Sequence, residues 1–117
     1  MKRKQCLTRS TDFLRVKRTG NSFANPFMVL ITAPNNLSFS RFAIAAGRSV
    51  GNAVLRNRAK RRMRSCLEAV SPLVQPGWDL IFYGRKPLVP AKFSEVNQAM
   101  NEIIIKANLL LSESIIK

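Results

Sequence analysis

The sequence predicts a single α/β domain of the α+β type, in which a four-stranded mixed sheet is packed by helices. Three observations predict it. Hydrophobic periodicity switches along the chain between the 3.6-residue repeat of helices and the two-residue repeat of strands. A strand, a long helix and a second strand follow one another in the middle, the succession that places two strands parallel in one sheet. A chain of 117 residues with 46% hydrophobic content is long and apolar enough for one modest core. The elements run helix, strand, strand, strand, helix, strand, helix, and no repeat or low-complexity linker divides them, so residues 1–117 read as one domain.

Residues 1–7 are expected to form a basic flexible arm. Met1-Lys-Arg-Lys begins like a secretion signal, but Thr8–Asp12 stand where an apolar segment would be needed. Ser10 as N-cap, Asp12 in the first turn and Gly20 past the end frame a short helix over 11–18. Strands are expected over 22–24 and 26–32, separated by Asn25-Pro26, because proline cannot donate to a ladder and restricts the residue before it. Ala33–Leu37 reads as a turn and 40–46 as a third strand. Its Phe42, Ile44 and Ala46 share one face; Arg41, Ala43 and Ala45 share the other, leaving room for something to lie across the sheet.

Asn52–Val70 carries the clearest pattern. Leu55, Ala59, Met63, Cys66, Leu67 and Val70 recur at steps of three and four and form one apolar stripe. Asn57, Lys60, Arg61 and Arg64 fall opposite it, Arg58 lies toward one flank, and Arg56 and Arg62 lie near its borders. Ser71-Pro72 stops this helix, 78–83 makes a largely buried fourth strand, and apolar residues from Phe93 to Leu111 mark a second long amphipathic helix. If the third and fourth strands are parallel, Gly47-Arg48 and Gly84-Arg85-Lys86 leave the sheet at the same end. Gly47–Gly51 could cradle a phosphate or simply connect strand to helix. Residues 112–117 read as a frayed tail.

The net charge of +14 implies an anionic partner large enough to meet many cations. From Phe13 to Leu67 there is no acidic residue, against eleven Lys and Arg. Between Arg56 and Arg64, six cations crowd into nine residues, five of them arginine, whose planar fork grips phosphate oxygens in pairs. Nucleic acid is the expected partner, and a solvated basic helix or an anionic membrane surface is the weaker alternative. With no His, two Cys and six scattered carboxylates, no triad, paired-carboxylate site or metal cage can be assembled. No catalytic residue, protein-bound cofactor or small-molecule substrate is therefore expected. The two cysteines form no disulfide framework and no run is long enough to span a membrane, so the cytoplasm is the expected location.

The residues from Val50 through Arg61, with Arg64 one turn on, resemble the arginine-asparagine-arginine signature of the bacterial ribonuclease P protein family. Asp12-Phe13 with Val16 and Gly20, the 27–31 strand, Trp78-Asp79-Leu80-Ile81 and Arg85-Lys86-Pro87 extend the resemblance over roughly residues 7 to 111. The resemblance implies a left-handed crossover, where the general handedness rule gives a right-handed one. It also implies a protein subunit that binds a catalytic RNA and helps it remove the 5′ leader of precursor tRNA, the Mg²⁺ ions being held by the RNA. Arg48, Arg56, Asn57, Arg58, Lys60, Arg61 and Arg64 would face that RNA. Phe13, Lys17, Phe27, Ile31 and Arg41 would line a cleft for the single-stranded leader, where Lys17 and Ile31 stand at positions usually aromatic in the family. Phe13 and Phe27 read equally well as plain core. A structural protein of the ribosome and a DNA-binding module are the competing functions, although only Asn57 is an evident base reader in a DNA groove.

Overall fold

The computed structural model describes residues 3–111. The arm's first two residues and the 112–117 tail lie outside the described residues. Three helices, α1 (Ser10–Thr19), α2 (Ala53–Val70) and α3 (Phe93–Lys106), surround four strands, β1 (Asn21–Ala24), β2 (Met28–Pro34), β3 (Arg41–Ala46) and β4 (Trp78–Gly84). The sheet order is β1-β2-β4-β3, antiparallel except for the β3–β4 pair, which is parallel with Arg41 opposite Asp79 and Ala46 opposite Gly84.

Strand alternation divides the sheet into two unequal faces. Met28, Leu30, Phe42, Leu80 and Phe82 point to one side and join the stripes of α2 and α3 in the main core. As expected from the periodicity, Ala59, Met63, Cys66, Leu67 and Val70 of α2 are buried, with Leu55 half-buried beside them. Gly84 lets α2 approach closely where it crosses β4: a Cβ there would sit 2.9 Å from Met63 Cε, which would have to shift, and 3.6 Å from Ala59 Cβ. The opposite face is covered only in part. Val16 of α1 and Leu7 close a small cluster over Ala33, Ala43 and Ile81, with Phe13, Ile31 and Tyr83 packed at its margin.

Several local expectations are corrected. Residues 1–7 are not wholly a free arm: Arg3–Gln5 form a 3-10 turn, Cys6 bridges Phe42, and Leu7 N–H donates to Phe42 O at 2.8 Å. Leu7 is apolar and has a seat beneath α1, so the segment joins the outer edge of β3. Arg9, not Ser10, occupies the N-cap of α1, and its side chain makes no capping bond. Gly20 ends α1 as expected, since a Cβ there would lie 2.4 Å from Val16 O and 2.6 Å from Thr32 O. β2 starts at Met28 because Asn25 Oδ1 accepts from the N–H of both Phe27 and Met28, folding 25–27 into a turn. It then runs on to Pro34, two residues into the expected turn. α3 stops at Lys106: Asn108 takes a left-handed conformation (φ 60°), and Leu109 and Leu110 fold back, Leu110 bridging Val74. Phe93, expected on the apolar stripe, is exposed at the first turn.

Candidate nucleic-acid interface

The solvent face of α2 is the first part of the interface. Asn52 Oδ1 accepts from Leu55 N–H at 3.0 Å and fixes the start of the helix, while Gly51 just before it holds φ 138°, which a side chain would strain. From that start, Asn57, Arg58, Arg61 and Arg64 are exposed; Lys60, expected opposite the stripe, is instead half-buried, because at 3.6 residues per turn it follows Ala59 closely enough to lie at the stripe's edge. Among the described residues no carboxylate pairs with Arg48, Arg58, Lys60, Arg61 or Arg64. The two border arginines behave differently. Arg56 Nη1 donates to Gly51 O at 3.1 Å, and Arg62 Nη2 donates to Ala91 O, tying α2 to the segment before α3. Arg62 therefore braces the fold, in keeping with its position at the stripe's border.

Two cationic loops extend this surface. Because β3 and β4 are parallel and end in register, Arg48 and Arg85-Lys86 leave the sheet together, each within or beside a short 3-10 turn. Arg85 Nη1 donates to Asn25 O at 3.1 Å, whereas Arg48 and Lys86 are exposed. The Gly47–Gly51 loop spends amides internally: Val50 N–H donates to Gly47 O and Gly51 N–H to Arg48 O, both at 3.1 Å. That geometry favours the plain connection over a phosphate cradle.

The open sheet face beside α1 is the second part. Phe13 and Lys17 lie one turn apart on α1, Ile31 comes from β2, and Tyr83 from β4 lies between them and Ala45, with Lys17 Nζ 5.9 Å from the Tyr83 ring centroid. Tyr83 has no counterpart in the sequence reading. Its alternation with Ile81 on β4 was a signal for this face, but only the sheet order shows which neighbours it has. A hollow of about 180 Å³ runs from Phe13 past Ala43 and Ile44 to Arg64 and Leu67, linking this face to α2 around the edge of β3.

Two candidates for this cleft are placed elsewhere. Phe27 packs against the main core and lines a hollow with Glu95, Gln98 and Glu102 of α3, since the Asn25 turn rotates it out of strand alternation. Arg41 is committed to carboxylates. Its Nε and Nη2 donate to Asp79 Oδ1 and Oδ2 at 2.9 and 2.8 Å, and Nη1 reaches Asp12 Oδ2 at 3.4 Å. Arg15 Nη2 also donates to Asp79 Oδ2, and Asn35 Nδ2 donates to Oδ1 at 3.0 Å. Asp79 is wholly buried. Burial pushes its carboxyl pKa up, but hydrogen bonds from Arg41 and Asn35 and the charges of Arg41 and Arg15 outweigh that and hold it below the usual carboxylate range. The same contact with Asp79, against the opposing cost of burial, raises the Arg41 guanidinium further.

An α+β domain that turns a cationic helix face, two basic loops and a half-open sheet toward solvent belongs to the class of nucleic-acid-binding proteins. The family model described as Ribonuclease P matches residues 1–108. The chain belongs to the ribonuclease P protein family, the protein part of a ribonucleoprotein endoribonuclease of tRNA 5′ processing. It is 36% identical over 109 residues to the ribonuclease P protein component of Herpetosiphon aurantiacus, covering 93% of this chain and 89% of that one. The corresponding protein of Dehalococcoides mccartyi is 33% identical over 110 residues, covering 94% and 90%. Among solved structures, the Staphylococcus aureus RNase P protein superposes with a TM-score of 0.81 at 25% identity, covering 91% of this chain and 97% of that one. The Thermotoga maritima protein gives 0.75 at 27%, covering 85% and 94%. Family membership sets aside the ribosomal and DNA-groove alternatives and makes ribonuclease P RNA the partner.

Proposed function

We propose that Arg48, Arg56, Asn57, Arg58, Lys60, Arg61 and Arg64 hold the ribonuclease P RNA, while the open sheet face beside α1 receives the single-stranded 5′ leader of precursor tRNA. The observation that carries this reading is the cationic face of α2, which no carboxylate among the described residues pairs. Uncompensated like charges one turn apart repel, and a polyanion relieves that repulsion while using the same guanidinium forks. In this reading the leader site would use Phe13, Lys17 and Ile31, without Phe27 and Arg41, whose side chains are engaged elsewhere.

Catalysis by this assembly would use Mg²⁺ ions held by the RNA, which activate water toward the phosphodiester. Asp12 and Asp79, the carboxylates nearest the sheet face, are turned onto Arg15 and Arg41, and among the described residues no group of three or more His, Cys, Asp or Glu is gathered for a metal. No described helix is long and apolar enough to cross a membrane.

Reconstitution with the cognate RNA tests the reading. The protein is expected to raise cleavage of leader-bearing precursor tRNA at low Mg²⁺, and to bind that substrate more tightly than leaderless tRNA when in the holoenzyme. A protein that binds the RNA without either effect would refute the leader assignment.

A further inference from the structure

We propose that Tyr83 is the stacking platform for one unpaired leader base and that the Lys17 ammonium is its exchangeable cover, which together make Tyr83 a leader-binding residue of the cleft. The proposal rests on the leader reading above and names the residue that would carry it.

Four observations lead to Tyr83. It stands on β4, next to Ile81 and Asp79 in the alternation that faces away from α2, and it is half-buried. Register gives it Val29 of β2 on one side and Ala45 of β3 on the other, short side chains that leave a ring standing above its flanks. Neither Ile31 nor Lys17 can stack on a base, so on the floor of this face the ring comes from β4. The group above the ring is a lysine ammonium 5.9 Å from the centroid, on an exposed side chain.

That geometry suits a single-stranded nucleic acid better than it suits the free protein. A cation over a half-buried ring at that distance is a weak contact, easily displaced. A base has a π-face of larger area, and stacking on a protein ring is tolerant of base identity. As a base slides onto Tyr83, the long lysine stem lets the ammonium swing outward, where the phosphate of the same nucleotide meets it. The cation thus exchanges a ring for a phosphate, and Phe13, one helical turn away on α1, borders the same face. Nothing comparable occurs on the α3 side, where the hollow beside Phe27 is bordered by Glu95 and Glu102 and would repel a phosphate chain.

The test uses the reconstituted holoenzyme and precursor tRNAs carrying 2-aminopurine at single leader positions. Wild type and Tyr83→Phe are expected to quench the fluorophore at one leader position. Tyr83→Ile, which suits a strand, is expected to lose that quench and to bind leader-bearing precursor about tenfold more weakly, with leaderless tRNA unchanged. Lys17→Ala is expected to keep the quench and lower the salt slope of leader-dependent binding by about one. The proposal is overturned if wild type quenches at no leader position, if Tyr83→Ile keeps both quench and affinity, or if it weakens both substrates alike. If wild type itself fails to favour leader-bearing over leaderless tRNA, the leader reading falls and this proposal with it.

Discussion

Asp79 accepts from Arg41 through both carboxylate oxygens and from Arg15 and Asn35 besides, so one buried anion binds α1, β3 and the β2–β3 turn to β4. With Asp12 the group holds two charges of each sign, and it withdraws two arginines from any RNA. Removing the anion leaves two guanidinium groups facing each other. Asp79→Ala is expected to cost about 3 kcal/mol, the low end for a broken buried pair because both arginines still reach water; chemical denaturation measures it. The pH dependence follows from a folded-state pKa lowered below the unfolded value. Asp79 contributes its stability above the unfolded carboxylate range, about pH 3.9, and loses it as pH falls further through the depressed folded value. Asp79→Asn should flatten the stability loss below about pH 4, and an unchanged acid slope would show that other carboxylates govern it. Arg41 was visible in the sequence as a cation on the open face. Its partner lies thirty-eight positions away, and only the parallel register sets the two side by side.

At the scale of the element, α2 was almost wholly legible. Its apolar stripe and its Ser71-Pro72 end follow from local spacing, which a long helix obeys whatever packs against it. The split among its arginines was legible only as distance from the stripe. Arg58→Ala with Arg61→Ala is expected to weaken RNA affinity while leaving the melting temperature within about 2 °C, since exposed substitutions change stability little. Arg62→Ala should do the reverse, lowering stability by about 1 kcal/mol through the lost bond to Ala91 O and changing the salt slope of binding little. Parallel thermal melts and RNA titrations separate the two outcomes. Gly84→Ala probes the helix–sheet contact: a methyl 2.9 Å from Met63 Cε forces that side chain to move, at about 1 kcal/mol or more. α3 was less legible. Its apolar residues continue to Leu111, but Asn108 reverses the chain, and Leu109 and Leu110 are buried by a return loop that imitates helical spacing.

For the whole molecule, charge separates by surface. Among the described residues, Arg58, Arg61 and Arg64 of α2 and Arg48 and Lys86 of the adjoining loops stand without a carboxylate partner, while Glu95 and Glu102 lie on α3 beside Phe27. With about six phosphates engaged, RNA affinity is expected to fall on the order of 10³-fold between 50 and 200 mM salt, and a slope near zero in a salt titration would contradict the assigned surface. The same global arrangement explains why the proposed leader cleft was only half visible. Phe13, Lys17 and Ile31 were reached through the family resemblance, whereas Tyr83 joins them because β4 inserts between β2 and β3.

Local order was within reach of the sequence alone: the number and kind of elements, the stripe and cationic face of α2, and the polyanionic character of the partner all depend on spacing and composition. Which groups meet was decided by the tertiary structure. The strand order brought Asp79 to Arg41 and Tyr83 beneath Lys17, and a side-chain turn at Asn25 sent Phe27 to the other side of the sheet. Periodicity fixes the face on which a side chain stands, but the neighbour it finds there is set by pairing between segments far apart in the chain, and no local pattern encodes that pairing.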